Sequence, residues 1–448
     1  MLIKLFVENF KSFDSRTEFN MLTSSKIRDK DSHVMHIKKL KLLKHAVIYG
    51  ANAAGKSNFI EVFDFIRFCV ERKIPFGSSN LFCKLRKENE NRNSTFEIIF
   101  TIREKVYDYG FSLLFSERKI IEEWLYELDS SKTPKCIFEC SSNNKPVLGL
   151  KDLNEEDINR FNTYAEDYQD LTSTLFLTEL NRNKKYMNDS ALVVFKDVYT
   201  WITKNLIIFK PDTLITNFEY FYEDKSLEKI NRLIKAFDTG ITEARIENIS
   251  IDELNKRLPP EIFQEVISDM KEILDNNKTS KISMRSSDQF FNIVINKTSD
   301  PIITTIKLKH DKSYFDYDFN EESDGTRRLF DLIDMLLMNK DDVVFVVDEL
   351  ERSLHPKLTA CFLKLFDSLH VDNNIQLIFS THESTIMDQA LFRRDEIWFI
   401  ERDENNSSKL YSLDRFKERY DKRLSKAYLE GRYGAIPIFK EFTSWGEN

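Results

Sequence analysis

Eight residues, Gly50-Ala-Asn-Ala-Ala-Gly55-Lys56-Ser57, constrain this chain more than any other stretch. They meet every specified position of the spacing G-x-x-x-x-G-K-[ST]. A short apolar run, His45-Ala-Val-Ile-Tyr49, precedes them, and a segment from Lys56 to Arg72 with helical apolar spacing follows. This order predicts a buried strand, a tight loop and a helix. Glycines let backbone N–H groups turn inward around an anion, and the helix start presents its positive end to the same point. Lys56 supplies a point charge for β- and γ-phosphates, and the Ser57 hydroxyl a ligand for Mg²⁺. The candidate nucleotide-binding set is Gly50, Ala51, Asn52, Ala53, Ala54, Gly55, Lys56, Ser57 and Asn58.

A second constellation lies near residue 348. Val343-Val-Phe-Val-Val is apolar enough to be a buried strand, and it ends in Asp348-Glu349. Ligands of open α/β sheets sit at the carboxyl ends of such strands. Asp348 is the second candidate Mg²⁺ ligand. Glu349, pointing to the other side, can polarise an attacking water. Beside a phosphate loop this reading outweighs that of two surface acids at a strand end. About 30 residues on, Ile375-Gln-Leu-Ile-Phe is a further buried strand, ending in Ser380-Thr381-His382. An imidazole there can hydrogen-bond a γ-phosphate and sense its loss, so Glu349 and His382 are the catalytic candidates.

Composition narrows the class. The 448 residues are 41% hydrophobic and 31% charged, which describes a globular chain of two or three domains. A formal net charge of -8 counts against a dedicated nucleic-acid binder without excluding a local basic groove. The lysine clusters, Lys38-Lys39-Leu40-Lys41 with Lys44 and Lys184-Lys185, read as solvated faces ahead of nucleic-acid contacts. Five cysteines lack zinc-site spacing and read as reduced thiols. The N-terminus has no signal-peptide core and no stretch has the length of a membrane span, so a cytoplasmic location away from membranes is expected.

The pattern along the chain predicts an edge strand over 2–8 and a polar, loop-like stretch to about 44. An antiparallel meander follows over 95–128, then helices from about 151 to 285, with Pro259-Pro260 opening one of them. Strand patterns return over 289–320, including Tyr314-Phe-Asp-Tyr-Asp-Phe, before an α/β run. The expected fold class is α/β, with an N-terminal antiparallel meander and an α-helical insertion. The phosphate loop and the C-terminal α/β run must share one sheet. Expected domain limits are 1–150, 151–288 and 289–448.

Together these motifs resemble the ATP-binding cassette ATPases, and more closely their SMC, RecF and overcoming-lysogenization-defect branch. The resemblance covers roughly 1–130 and 290–437. It implies a P-loop ABC-type head with Gly50–Ser57 as Walker A and Val344–Glu349 as Walker B. Ser353-Leu-His-Pro356 stands at the D-loop and His382 at the switch histidine. Glu322-Ser323-Asp324-Gly325-Thr326-Arg327 is similar to the signature motif but lacks the second glycine and the Gln of the transporter form. Ser323 and Gly325 are the positions carried over; the same residues also read as a plain helix N-cap. Asn9-Phe10-Lys11-Ser12-Phe13 resembles a segment that approaches the nucleotide in RecF- and SMC-like proteins. An ordinary strand-to-turn transition explains it equally well. No glutamine is assigned to the Q-loop.

The resemblance implies ATP and Mg²⁺ as cofactors and ATP hydrolysis at sites shared between subunits. It therefore implies a homo-oligomer, at least a dimer and with higher rings open. The tail Glu430-Gly-Arg-Tyr-Gly-Ala-Ile-Pro437 resembles that of bacterial stand-alone ATPases of this branch. These include the ATPases of two-component PARIS anti-phage systems, whose separate partner carries a TOPRIM nuclease. A sensor and scaffold controlling such an effector, with a phage-encoded trigger, is the expected role. The alternative is a RecF-like DNA-repair or chromosome-maintenance ATPase.

Overall fold

The computed structural model describes residues 1–27, 30–129, 133–142, 144–151, 153–168, 171–187, 189–211, 224–275, 280–285, 290–296, 299–416 and 423–437. The chain forms two compact units. The first comprises 1–210, 340–350 and 370–448; the second comprises 211–339 and 351–369.

The first unit contains a six-stranded sheet. Its order is Leu206–Phe209, Val343–Val347, Ile375–Ser380, His45–Tyr49, Ile397–Arg402 and Ser408–Ser412. All neighbours are parallel except the last pair, a hairpin. The phosphate-loop strand and the C-terminal α/β run thus share one sheet, as the sequence pattern requires. Three central strands, His45–Tyr49, Val343–Val347 and Ile375–Ser380, are buried along their whole length. Continuous apolar runs are what a sheet covered on both faces selects. The helix Lys56–Glu71 buries Phe59, Ile60, Phe63, Ile66 and Val70 in the core of this unit.

A seven-stranded antiparallel sheet completes the first unit. It runs Asn144–Leu148, Lys135–Ser141, Lys119–Leu128, Lys105–Leu114, Ser94–Ile102, Leu2–Glu8 and Thr17–Asn20. The meander is therefore present and longer than its sequence pattern. Leu2–Glu8 is an interior strand rather than an edge, because Thr17–Asn20 pairs with its other side. The stretch to residue 44 is not all loop either; Val34–Ile37 and Leu40–Leu43 form a hairpin. Short strands of this kind carry too few residues for a period to stand out. Fully buried Gln376 ties the two sheets: its amide accepts from Leu2 N–H at 2.8 Å and donates to the Leu2 carbonyl at 3.0 Å.

The second unit holds the antiparallel strands Ile241–Ile249, Ser299–His310, Phe290–Asn296 and Ser280–Arg285, with Tyr317–Asp318 paired to Ser299–His310. Helices Ile251–Arg257 and Pro260–Asp275 accompany them, and Ser250 and Glu253 cap the first reciprocally. Pro260 opens its helix as expected. Residues 151–288 are not purely helical: Leu206–Phe209, Ile241–Ile249 and Ser280–Arg285 are strands. The expected boundary at 288 and strand start at Gln289 lie outside the described residues. Tyr314 and Phe315 are not in a strand and are almost fully exposed. Aromatic β-propensity acts through packing on a half-buried face, and none is supplied there. Among the described residues, no helix is long and apolar enough to cross a membrane.

Candidate active site

Parallel register places the motifs at one edge of the six-stranded sheet. Ser380 pairs with Ile48, and Phe379 with Val347. The chain therefore leaves the sheet on the same side at Gly50, Asp348 and Thr381. The phosphate-loop strand and the acidic strand are two strand spacings apart, about 10 Å. The strand ending in Ser380 lies between them.

Both glycines of the loop are required by their surroundings. A Cβ on Gly50 would lie 2.5 Å from the Ile400 carbonyl oxygen. Gly55 has a φ of +118°, and its Cβ would lie 2.3 Å from Ser408 Oγ and 2.9 Å from Ser12 Oγ. Lys56 Nζ is buried and donates to the carbonyls of Gly50 at 2.8 Å and Ala51 at 3.3 Å. Ala53 is left-handed at φ 62°, and its carbonyl accepts from Arg402 Nε at 2.8 Å. Ser408 Oγ donates to the Ala54 carbonyl at 2.6 Å. A trans peptide points its C=O and N–H in opposite directions, so this anchor turns Gly55 N–H away from Ser408. Asn52 and Ser57 are exposed at the loop and the helix start.

The N-terminal segment reaches this loop. Asn58 Nδ2 donates to Ser12 Oγ at 2.8 Å, and Ser408 N–H to the Ser12 carbonyl at 2.8 Å. Ser12 is held in place by a buried clamp. Asn9 Nδ2 donates to the carbonyls of Asn89 at 2.9 Å and Arg92 at 2.8 Å, and Asn89 Nδ2 donates to Asp14 at 2.8 Å. Residues 9–13 are a turn after the strand Leu2–Glu8, closed by Phe10 and Phe13, each of whose N–H donates to the other's carbonyl, and this turn carries Ser12 to the phosphate loop.

At the acidic turn, Asp348 is buried and its N–H donates to the Phe209 carbonyl at 2.8 Å. Ser380 Oγ donates to Asp348 Oδ1. Asp348 Oδ2 takes no hydrogen bond among the described residues and stays available. Glu349 is half-buried with a left-handed φ of 49°, and its N–H donates to Ser380 Oγ at 2.8 Å. His382 is exposed, one residue beyond Thr381, whose N–H donates to the Ile48 carbonyl at 3.0 Å. The Ser57 hydroxyl and the Asp348 carboxylate are hard oxygen donors, the chemistry Mg²⁺ selects.

Ser323 and Gly325 belong to the second unit. Ser323 caps the helix Asp324–Leu337: its Oγ accepts from Thr326 N–H at 3.2 Å. A Cβ on Gly325 would lie 2.6 Å from the Ser353 carbonyl oxygen, and Ser353 itself is left-handed at φ 61°. The glycine thus admits the backbone of the Ser353-Leu-His-Pro356 turn. Lys44 departs from the expected solvated face: it is buried and donates to the carbonyls of His370 at 3.2 Å and Val371 at 2.9 Å. Motif reading assigned no role to Arg402, Ser408 or Ser380. Ser380 had a visible signal, a hydroxyl at the end of a buried strand beside the acidic one. Arg402 and Ser408 had none, because their partners lie some 350 residues away in the chain.

A family model described as "AAA domain, putative AbiEii toxin, Type IV TA system" matches residues 46–388. No curated protein matches the sequence. Among solved structures, an SMC head bound to the C-winged helix domain of ScpA is similar with a TM-score of 0.42. It is 14% identical, with 92% of this chain and 97% of that chain covered. The SMC head domain from Thermotoga maritima gives a TM-score of 0.38 at 14% identity, with 92% and 98% covered.

Proposed function

This chain belongs to that AAA-domain family, and from that premise we propose that it is an ATP hydrolase working at sites completed between subunits. One observation carries the reading: the phosphate loop and the acidic turn emerge at the same carboxyl edge of the parallel strands of one sheet, with a single strand between them. On binding, Lys56 Nζ exchanges the Gly50 and Ala51 carbonyls for phosphate oxygens. Loop N–H groups and the start of Lys56–Glu71 receive the remaining charge. Ser57 and Asp348 would hold Mg²⁺, which would supply positive charge against the phosphates. Glu349 accepts a proton from water directed at the γ-phosphorus, and His382 hydrogen-bonds the terminal phosphate. Ser323 and Gly325, at a helix start, address the nucleotide of another copy, which makes the working form at least a dimer.

The finer role we propose is a sensor and scaffold that holds or releases a separate effector, a TOPRIM-type nuclease, in anti-phage defence. The family's description, with its toxin and TA system, supports a two-component setting. Replacing Glu349 with Gln tests the chemistry. Turnover is expected to fall by about 10²–10⁴ while ATP binding persists and the oligomer becomes longer-lived on ATP. Unchanged turnover would remove Glu349 from the role of base. Co-purification with the product of a neighbouring gene tests the partner, and a lone ATPase that binds DNA in a salt-dependent way favours a repair role instead.

A further inference from the structure

We infer that Ser380 is the positioning residue for both carboxylates of the acidic turn, an inference that rests on the reading of this edge as a hydrolytic site. Ser380 is fully buried at the last position of Ile375–Ser380, one strand from the phosphate loop and one from the acidic strand. Three of its contacts converge on the turn. Its Oγ donates to Asp348 Oδ1. The same Oγ accepts from Glu349 N–H at 2.8 Å. Its carbonyl accepts from Leu350 N–H at 3.2 Å.

A hydroxyl has one proton and two lone pairs, so donating to Asp348 leaves it able to accept from Glu349. The two bonds are therefore compatible and fix the direction of the hydroxyl. The bond to Oδ1 sets the rotamer of Asp348 and leaves Oδ2 available for a cation. The bonds to the two backbone N–H groups hold Glu349 at its left-handed φ of 49°, a conformation that non-glycine residues keep only when their surroundings over-determine it. Ser380 thereby aims one carboxylate at the metal position and the other at the water position without touching either ligand. No other side chain is bonded to both residues among the described residues.

The test compares the wild type with Ser380→Ala, Ser380→Thr and Glu349→Gln by ATP turnover under Mg²⁺ titration. Hydrogen exchange at the 349–350 amides is measured alongside. Ser380→Ala is expected to lower kcat and raise the half-saturating Mg²⁺ concentration, each on the order of tenfold. Magnesium-free ATP affinity should stay unchanged, and the Glu349 amide should lose protection. Ser380→Thr, which keeps the hydroxyl, restores most of both. Ser380→Cys, close in volume and a weak donor, serves if the alanine variant does not fold. Wild-type kcat and Mg²⁺ dependence in Ser380→Ala, with Glu349→Gln inactive, overturn the positioning role. A lowered melting temperature with unchanged Mg²⁺ dependence overturns it too, since the residue then only packs. Full turnover in Glu349→Gln defeats the reading of the site instead, and the exchange data then decide the Ser380 contact by themselves.

Discussion

Gly55 and Gly325 are both demanded by motif spacing, yet the two turns use them differently. Gly55 sits at a left-handed φ of +118° and is crowded by two side chains, those of Ser408 and Ser12. Gly325 opens a regular helix and is crowded by a backbone carbonyl, that of Ser353. The first glycine is a conformational requirement that shapes a cradle. The second is a close-approach requirement, met inside its own unit by the turn at Ser353. A phosphate loop is thus built for its ligand before the ligand arrives. The Ser323–Gly325 turn has a sufficient reason to exist within the subunit, whatever it later addresses.

Gly55→Ala should have the largest effect. It adds a Cβ at a forbidden φ, costing about 1–3 kcal/mol, and it displaces the loop proposed to hold phosphate. ATP affinity, measured with a fluorescent analogue, is expected to fall on the order of a hundredfold. Unaltered affinity would break the claim that this glycine shapes the cradle. Gly325→Ala should cost about 1–3 kcal/mol of unfolding free energy through overpacking, read by denaturant titration. Affinity for ATP under conditions that keep the protein monomeric should not change. A stable variant with weakened ATP-dependent association would sharpen the comparison the other way, making Gly325 primarily an interface residue.

The smallest expected effect on ATP binding concerns Glu123, in the seven-stranded antiparallel sheet. Glu123, fully buried on Lys119–Leu128, accepts from Leu177 N–H at 3.1 Å and from the Tyr109 hydroxyl at 2.9 Å. Burial pushes its carboxyl from 4.5 up to about 7, against the hydrogen bonds that pull it down. A raised carboxyl favours the protonated folded state. The stability it contributes is full below about 4.5 and is lost as pH rises through about 7. Glu123→Gln should remove that slope, flattening the pH dependence of stability across the window by up to about 3 kcal/mol. An identical pH profile in the variant would mean that burial does not shift the Glu123 carboxyl between the unfolded and folded states.

Much of the site was legible in the sequence. Gly50 to Ser57 follows a local spacing rule, and buried strands announce themselves as apolar runs, which located Asp348, Glu349 and His382. The reading failed where the signal was short or the cause remote. Leu2–Glu8 read as an edge because Thr17–Asn20 offers only four residues of pattern. Tyr314–Phe319 read as a strand because aromatic composition mimics one, while only Tyr317–Asp318 pairs. Lys44 read as solvated because its neighbours are lysines, while its amine reaches carbonyls more than 300 residues on.

By itself the sequence determined that a strand, an anion-binding loop and a helix stand in that order, and that two further buried strands end in carboxylates and an imidazole. These are consequences of spacing within a few residues, which backbone geometry makes nearly independent of the rest of the chain. Only the tertiary structure decided the order of those three strands, with Ile375–Ser380 between the other two. It also decided that Ser12, Arg402 and Ser408 brace the loop, that Ser380 joins the two acids, and that Gly325 yields to Ser353. Each depends on the register between segments far apart in the chain, and register is set by collective burial, not by any local run of residues.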